Sequence, residues 1–558
     1  MRLTKVVDVI REKCQNCHAC ITSCPSKFCN DGHDDHVEIN HDLCIACGEC
    51  IKKCTWGARV LMDDTDRFLN DAGLGVPMVA VVAPAIASSF PDRYLNFNGW
   101  LKAIGVSAVF DVSFGAELTI KSYLEHIKLN KPRAVIAQPC PAIVSYIELY
   151  RPELLKYLAP ADSPMLHTIK MIKEFYPKYA NAKVVVISPC IAKKREFEAT
   201  GYGDYNVTMA KLDDYFKAHH INLIKYPAVN YDNPPAERAV LFSTPGGLLE
   251  TAARWNQELR PKIRKIEGPH TIYHYLNNLA KDIETGRAPL VIDCLNCEAG
   301  CNGGTGTKCS GESMDYLEGI IEKRKEQMKH QYLSAGHYSD DSFENDKVIQ
   351  NNIVGLIEQY WKPGLYNRRY EDRSKHGITT EVSSLELDKI YHKMLKETQD
   401  DHKNCSACGY GNCKDMAIAI YNGLNKPENC HYYLSSMLTK SMLTRKRAID
   451  KFQSVVLSQF NSRDSLSRFA PILKSIEDVS MQTSILAMNA SIEATRAGDV
   501  GAGFGVVAKS IGELATKTKQ ETNRMHSSLG ELKTLIDEAI IELEKEVDSA
   551  ELLEMEIQ

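Results

Sequence analysis

Nineteen cysteines in 558 residues, most of them at short spacings, constrain this chain more than any other feature. A small secreted domain would use that many for disulfides. Here the first residues, MRLTKVVDVIREKC, contain no apolar core of a signal peptide, and the cysteines fall in clusters. That combination predicts metal ligation in a reducing compartment, the cytoplasm. The length predicts several domains rather than one core. A formal charge of −5 argues against a nucleic-acid partner. The longest apolar run, near Val76–Phe90, is short and holds Pro77 and Pro84, so no membrane span is expected.

Cys14-x2-Cys17-x2-Cys20-x3-Cys24-Pro25 is followed by Cys44-x2-Cys47-x2-Cys50-x3-Cys54. A cubane takes three thiolates from one tight loop and a fourth from elsewhere. In the bacterial two-cluster ferredoxin pattern the fourth cysteine of each run ligates the other cluster. This predicts one cluster on Cys14, Cys17, Cys20 and Cys54, and another on Cys44, Cys47, Cys50 and Cys24. Zinc is the alternative, but eight cysteines in a doubled run are hard to account for that way. Thr55 stands where the second run often has proline, and Cys29 is left over as a bystander. Such cubanes move single electrons, so another redox centre or partner is expected beyond them.

Residues 76–330 alternate apolar runs (MVAVVAP, AVIAQPC, VVVISPC, APLVIDC) with helical patterns, an α/β layout. The last three runs each end on a cysteine. Open α/β sheets place their sites at strand carboxyl ends, so three thiols are expected to converge there. Four motifs stand out: Gln138-Pro139-Cys140-Pro141; Ser188-Pro189-Cys190-Ile191-Ala192-Lys193-Lys194-Arg195-Glu196; Phe242-Ser243-Thr244-Pro245-Gly246-Gly247; and Cys297-Glu298-Ala299-Gly300-Cys301-Asn302-Gly303-Gly304. Four thiols gathered from distant loops suit one more cubane. The glycines allow close backbone approach to a bulky inorganic group, and Lys193 offers a donor to an anionic ligand. A plain structural cubane is the alternative.

These motifs resemble the active-site domain of [FeFe]-hydrogenases. Asp111–Thr119 (DVSFGAELT), Glu148–Leu155 and Val82–Ala85 resemble further segments, so the likeness spans roughly residues 1–310. The resemblance implies an H-cluster: a [4Fe–4S] cubane joined through one cysteine to a two-iron site bearing CO, cyanide and a bridging dithiolate. By position, Cys140, Cys190, Cys297 and Cys301 would ligate the cubane. Cys301 would bridge to the two irons, and Lys193 would hydrogen-bond a cyanide. Catalytic members carry a relay thiol just before the first ligand cysteine; this chain has Pro139 there, after Ala137 and Gln138. Where they continue with two proton-path glutamates, this chain has Lys121-Ser122-Tyr123. Ser188 replaces a methionine lining their site. The expected consequence is a site that binds H2 but turns it over slowly, with water or Glu125 as the remaining proton route. Cys294 and Cys309 are extra thiols nearby, expected to be buried and inert.

Cys405-x2-Cys408-x4-Cys413-x16-Cys430 resembles a small 4Fe–4S domain of redox and sensory proteins; zinc stays open as the alternative. From 441 onward there is no cysteine. Apolar or small residues recur at heptad-like spacing at Ile472, Ile476, Val479, Thr483, Leu486 and Ala490. They recur again at Phe504, Val507, Ile511, Leu514, Thr518, Met525, Leu529, Leu532, Ile536 and Leu543. Gly498, Gly501 and Gly503 lie between. This predicts an antiparallel helical hairpin that pairs with a second copy, with a kink at Pro471. QTSILAMNASIEATRAGDVGAGFGVVA resembles the signalling tip of methyl-accepting chemoreceptors, with Glu493, Ala494, Arg496, Ala497, Gly498, Gly503, Phe504, Val506, Val507 and Ala508 on the motif. That likeness implies a histidine kinase and its adaptor as partners, though Lys509-Ser510-Ile511-Gly512 departs from the family run.

The expected fold is therefore multidomain. An α+β two-cluster ferredoxin domain covers 1–75, an α/β hydrogenase-like H-cluster domain 76–330 and a helical linker 331–395. A 4Fe–4S domain covers 396–440 and an all-α antiparallel coiled-coil hairpin 441–558. The expected cofactors are an H-cluster and three accessory [4Fe–4S] clusters. The expected function is an H2 or redox sensor exchanging electrons with a partner such as a ferredoxin. It would be a homodimer or higher oligomer through the hairpin. The rivals are a ferredoxin-linked catalytic hydrogenase with a dimerising tail, and an electron-transfer scaffold lacking the two-iron site.

Overall fold

The computed structural model describes residues 3–309, 311–334, 342–376, 382–460, 463–496 and 502–557. They fall into two compact units, Met1–His431 and Tyr432–Gln558. In the first unit, the strand Val7–Val9 pairs antiparallel with Arg59–Leu61, and Asn30–Asp31 pairs with Glu38–Ile39. The short helices Ala19–Thr22 and Glu49–Lys53 each carry the third cysteine of a run, Cys20 and Cys50. The two cysteine runs thus repeat one local geometry on a small α+β frame.

The apolar runs become parallel strands. One sheet has the order Ala108–Asp111, Met78–Val82, Lys183–Ser188, Tyr205–Thr208. A second has the order Ile263–Glu267, Val291–Leu295, Val135–Ile136. Met78–Val82 is buried along its whole length, as a strand covered on both faces must be. Helices pack around it: Val112–Asn130 against Pro164–Phe175, with Phe110, Phe114, Leu118, Leu166 and Ile169 in the shared core. The carboxyl ends of both sheets lead into the cysteine loops, but the third thiol is corrected. Cys294 sits inside Val291–Leu295, where side chains alternate between faces, and its Sγ donates to the carbonyl of Ala137 at 3.5 Å. It packs in the core under the second sheet; Cys297, beyond the strand end, supplies the thiol for the site.

Residues 331–395 are not all linker. In the helix Ser342–Tyr360, Ile349, Ile353 and Ile357 recur every fourth residue and pack onto the α/β core, joined by Tyr332, Leu333 and Tyr366. This apolar stripe on a helix is enough to dock it. Residues 335–341, just before this helix, lie outside the described residues.

A buried ion triad holds two helices of the domain together. Arg254, in Gly247–Trp255, pairs with Glu117 of Val112–Asn130 and, at 2.7 Å, with Glu237. All three are buried, and burial pushes the Glu117 carboxyl up against the pull of Arg254. Arg254→Leu would leave two carboxylates facing each other without a cation. A loss of about 3–5 kcal/mol is expected, read as a lower urea midpoint for the loss of this domain's near-ultraviolet circular dichroism.

The second unit contains the helices Arg463–Arg496 and Ala502–Ile557, packed along each other. Pro471 lies inside the first. The seam differs from expectation by one residue. Leu473, Ser480, Ala487 and Ala494 are buried on one helix, and Ala508, Ala515 and Thr522 on the other. Each set repeats every seven residues, and the Ser480 hydroxyl donates to the Ala515 carbonyl at 2.6 Å. The small side chains let the backbones approach. Leu486 and Leu514, one residue before Ala487 and Ala515, point outward at 67% and 66% exposed, and Phe504 is 78% exposed. Ala497, Gly498 and Gly501 of the tip lie outside the described residues, as does the side chain of Leu543. Among the described residues no helix is long and apolar enough to cross a membrane.

Candidate metal centre

Cys140, Cys190, Cys297 and Cys301 come from four chain positions up to 161 residues apart, yet their charges act on one another. Burial and the neighbouring sulfurs push the Cys190 thiol up to about 12 and the Cys301 thiol well above its ordinary value. Burial likewise takes Cys297 to about 11, against the pull of Lys52. Thiols so placed hold their protons until a metal displaces them. Gly300 and Gly304 make the gathering possible. Gly300 has φ +57, and a Cβ there would stand 2.5 Å from the Ser243 carbonyl oxygen. A Cβ on Gly304 would stand 2.3 Å from the Pro189 carbonyl oxygen.

Beside these thiols lies a cavity lined by Ala83–Ala85, Val112, Ala116, Pro139, Pro164, Met165, Pro189, Lys193, Phe242, Ser243 and Cys301. Its walls follow the carboxyl ends of strands from both sheets. Of the four thiols only Cys301 faces it. Lys193 is buried, donating to the Pro139 carbonyl at 3.1 Å and to Glu196 at 2.6 Å, so one of its three N–H groups remains for the cavity. Glu196 is fixed in turn by Ser163 and Arg368, and the cations Lys193 and Arg368 hold its carboxyl below the usual range despite burial. The residues therefore fit a bulky inorganic group: four neighbouring thiols, one lysine donor and a wall that is apolar apart from Ser243.

The neighbourhood of the expected proton path is closed by other bonds. Pro139 lines the cavity with no side-chain proton to give. Lys121 bridges Glu125 at 3.1 Å and Glu358 at 2.6 Å, so Glu125 is engaged. The Ser122 hydroxyl lies 3.0 Å from His167 Nε2 and accepts from the Trp361 indole at 3.2 Å. Burial pushes His167 down to about 3, which keeps it neutral. The Tyr123 hydroxyl donates to Gln138. Ser188 is corrected: it does not line the cavity but clasps the Cys190 loop, accepting from Cys190 N at 3.0 Å and donating to the Cys190 carbonyl at 2.8 Å.

In the N-terminal segment the thiols within each run act on one another, and Cys50 also feels Cys20 of the other run. Cys20 is influenced by Cys14 and Cys17, and Arg59 donates to its sulfur at 3.3 Å. Cys47 and Cys50 are influenced by Cys44 and Cys24. The Cys54 sulfur accepts from Ala58 N at 3.3 Å. Cys29, outside both expected sets, lies beside the second: its sulfur is 3.7 Å from that of Cys24, and Cys44 acts on it as well. Among the described residues no three His, Cys, Asp or Glu side chains converge tightly enough for a single ion; a cubane holds its thiolates farther apart.

Several residues joining these sites carried no signal in the sequence. Arg195, two residues after Lys193, donates to the carbonyls of Thr4, His41 and Cys44, tying the Cys190 loop to the second run. Tyr273 stands near Cys47, Cys140 and Cys297 and donates to Asn296, whose amide reaches the Cys297 sulfur at 3.6 Å. Lys52 is influenced by both Cys297 and Cys47.

Cys408 is influenced by Cys430 and Cys405, and Cys413 opens the helix Cys413–Tyr421 behind an Asn412 cap. This module docks on the N-terminal segment that carries the two cysteine runs. His18 Nδ1 lies 3.1 Å from the Cys408 carbonyl, Lys27 donates to the Gly409 carbonyl at 2.9 Å, and Gly32 N donates to the Leu424 carbonyl at 2.9 Å. Phe28 and Tyr410 bring their rings within 5.8 Å.

Three family models match. Residues 76–305 match the iron-only hydrogenase large subunit, C-terminal domain; residues 401–432 match an Fe–S cluster family; residues 440–556 match the methyl-accepting chemotaxis protein signalling domain. The chain thus joins an [FeFe]-hydrogenase-like domain, an Fe–S domain and a chemotaxis signalling domain. Among individual relatives, the NADP-reducing hydrogenase subunit HndD of Solidesulfovibrio fructosivorans is 25% identical over 438 residues, 64% of this chain and 72% of its own. Iron hydrogenase 1 of Clostridium pasteurianum is 26% identical over 438 residues, 65% of this chain and 74% of its own. Methyl-accepting chemotaxis protein PcaY of Pseudomonas putida is 38% identical over 80 residues, 14% of this chain and 15% of its own.

Proposed function

We propose that this protein is a cytoplasmic H2 or redox sensor: an [FeFe]-hydrogenase site tuned for slow turnover, signalling through a chemoreceptor-like hairpin. Cys140, Cys190, Cys297 and Cys301 hold a cubane, and Cys301 joins it to the two-iron group. When bound, that group supplies H2 binding and the cubanes carry single electrons. The observation that carries the reading is the composition of the cavity wall: a thiol and a lysine for anchorage, and proline where a relay side chain would stand. Lys193 orients the group while Glu196 holds the lysine in place. The apolar wall excludes water. Pro139 offers the cavity no proton, and Lys121, Ser122 and Tyr123, outside the wall, are engaged with other partners.

The Cys14–Cys54 and Cys44–Cys24 sets and the Cys405–Cys430 set hold three accessory [4Fe–4S] clusters, exchanging electrons with a partner such as a ferredoxin. The outward apolar stripe of the hairpin pairs with a second copy, and its tip engages a histidine kinase and adaptor. A two-conformation hairpin biased by cluster state is what such coupling requires. The test is infrared spectroscopy of the full chain after maturation with the two-iron cofactor, under H2 and under argon. CO and cyanide bands that shift with H2, alongside low specific activity, are expected. Absence of the bands would sink the reading, and high specific activity would favour a catalytic hydrogenase instead.

A further inference from the structure

Ser243 lines the same cavity as Cys301 and Lys193, is 2% exposed, and its Oγ has no hydrogen-bond partner among the described residues. Buried hydroxyls are nearly always bonded, so an orphan one on a residue that lines a cavity points to a ligand there. The hydroxyl is held firmly in place. Ser243 ends the short helical stretch Arg238–Ser243, the next hydroxyl, on Thr244, donates to the Leu241 carbonyl at 2.6 Å, and the Ser243 carbonyl backs against Gly300, next to Cys301. Thr251 and Arg254, in the helix that follows, are themselves buried and bonded, so the backbone that carries the hydroxyl is fixed.

A serine hydroxyl can donate or accept, and the surroundings choose between the two. The cavity is lined by no acidic side chain; its one charged group is the Lys193 ammonium. A ligand seated between a cation and a free hydroxyl, with apolar walls elsewhere, must bring negative charge and lone pairs. We propose that Ser243 is the second hydrogen-bond donor of the cavity, holding a cyanide of the two-iron group from a different loop than Lys193. The inference rests on the proposed function, since it needs that group in the cavity. It makes Ser243 a cofactor-binding residue.

The test compares infrared spectra of the full chain and its Ser243→Ala variant after maturation with a synthetic two-iron complex. A cyanide band is expected to shift in Ser243→Ala, with CO bands moving less. Ser243→Cys, close in size and a weaker donor, is expected to fall between. The unloaded Ser243→Ala protein should melt no lower than the parent, because the deleted oxygen has no partner to lose; a purely structural serine would lower the melting temperature. Bands present in the parent and unmoved in Ser243→Ala would overturn this inference alone. So would a change in turnover with all bands unmoved, which would make Ser243 a proton carrier. No bands in the parent would overturn the function proposed above.

Discussion

Replacing Cys301 with alanine is expected to erase the CO and cyanide bands of the matured protein completely. Cys301 is the one thiol of the four that faces the cavity, so no neighbour can take over the bridge. The loop around it cannot shift to bring another sulfur forward, because Gly300 and Gly304 are pressed against the backbone at Ser243 and Pro189. The electron paramagnetic resonance signals of the N-terminal runs and of the Cys405–Cys430 set should persist, since their thiols belong to other loops. Bands that survive the substitution would refute the assignment of Cys301. Loss of every iron signal would instead mean that the protein had not folded, and the unloaded variant's circular dichroism separates the two outcomes.

The second large effect is a gain. Pro139→Cys places a thiol on the cavity wall while keeping the backbone carbonyl that receives Lys193. General acid–base transfer is worth ~10²–10⁴-fold in rate, and one restored station of a broken path should return the lower part of that range. Hydrogen evolution from reduced viologen measures it. Ala137→Cys is the control. Ala137 is fully buried at the strand end, its carbonyl accepts the Cys294 thiol, and it does not line the cavity, so no gain is expected. Equal rates for parent and Pro139→Cys would show that the missing thiol is not what limits turnover. A further gain on adding Lys121→Glu would locate the second break, because Lys121 now ties up Glu125 and Glu358.

The thiol motifs were legible because each is a short loop whose spacing is set by the inorganic core it would grip. The strands were legible from apolar runs, apart from the position of Cys294, where the alternation of a buried strand cannot be seen in an unbroken hydrophobic stretch. What the sequence hid is long-range. Tyr273, Asn296 and Arg195 matter through partners far along the chain, and nothing in their local pattern marks them. Ser243 stood inside a recognised motif, but its orphan hydroxyl is visible only once the walls around it are built. The hairpin seam was misplaced by one residue because hydropathy favours Leu486 over Ala487 and Val479 over Ser480. Close helix packing favours the smaller member of each pair. Cys29 looked spare because its two sulfur neighbours, Cys24 and Cys44, belong to different runs.

The docking of the Cys405–Cys430 module has a consequence for what the protein would measure. It rests on His18, Lys27 and Gly32, in the segment of the first cysteine run, and the helix His431–Phe460 starts immediately after its last thiol. If this module drives the output, the quantity it registers is the filling of the electron chain at its entry, whichever substance filled it. A strong reductant supplied without any gas should then mimic H2, and an oxidant should silence it. The device would behave as a voltmeter whose needle is attached at the terminal, with the gas-binding chamber as one of its possible batteries.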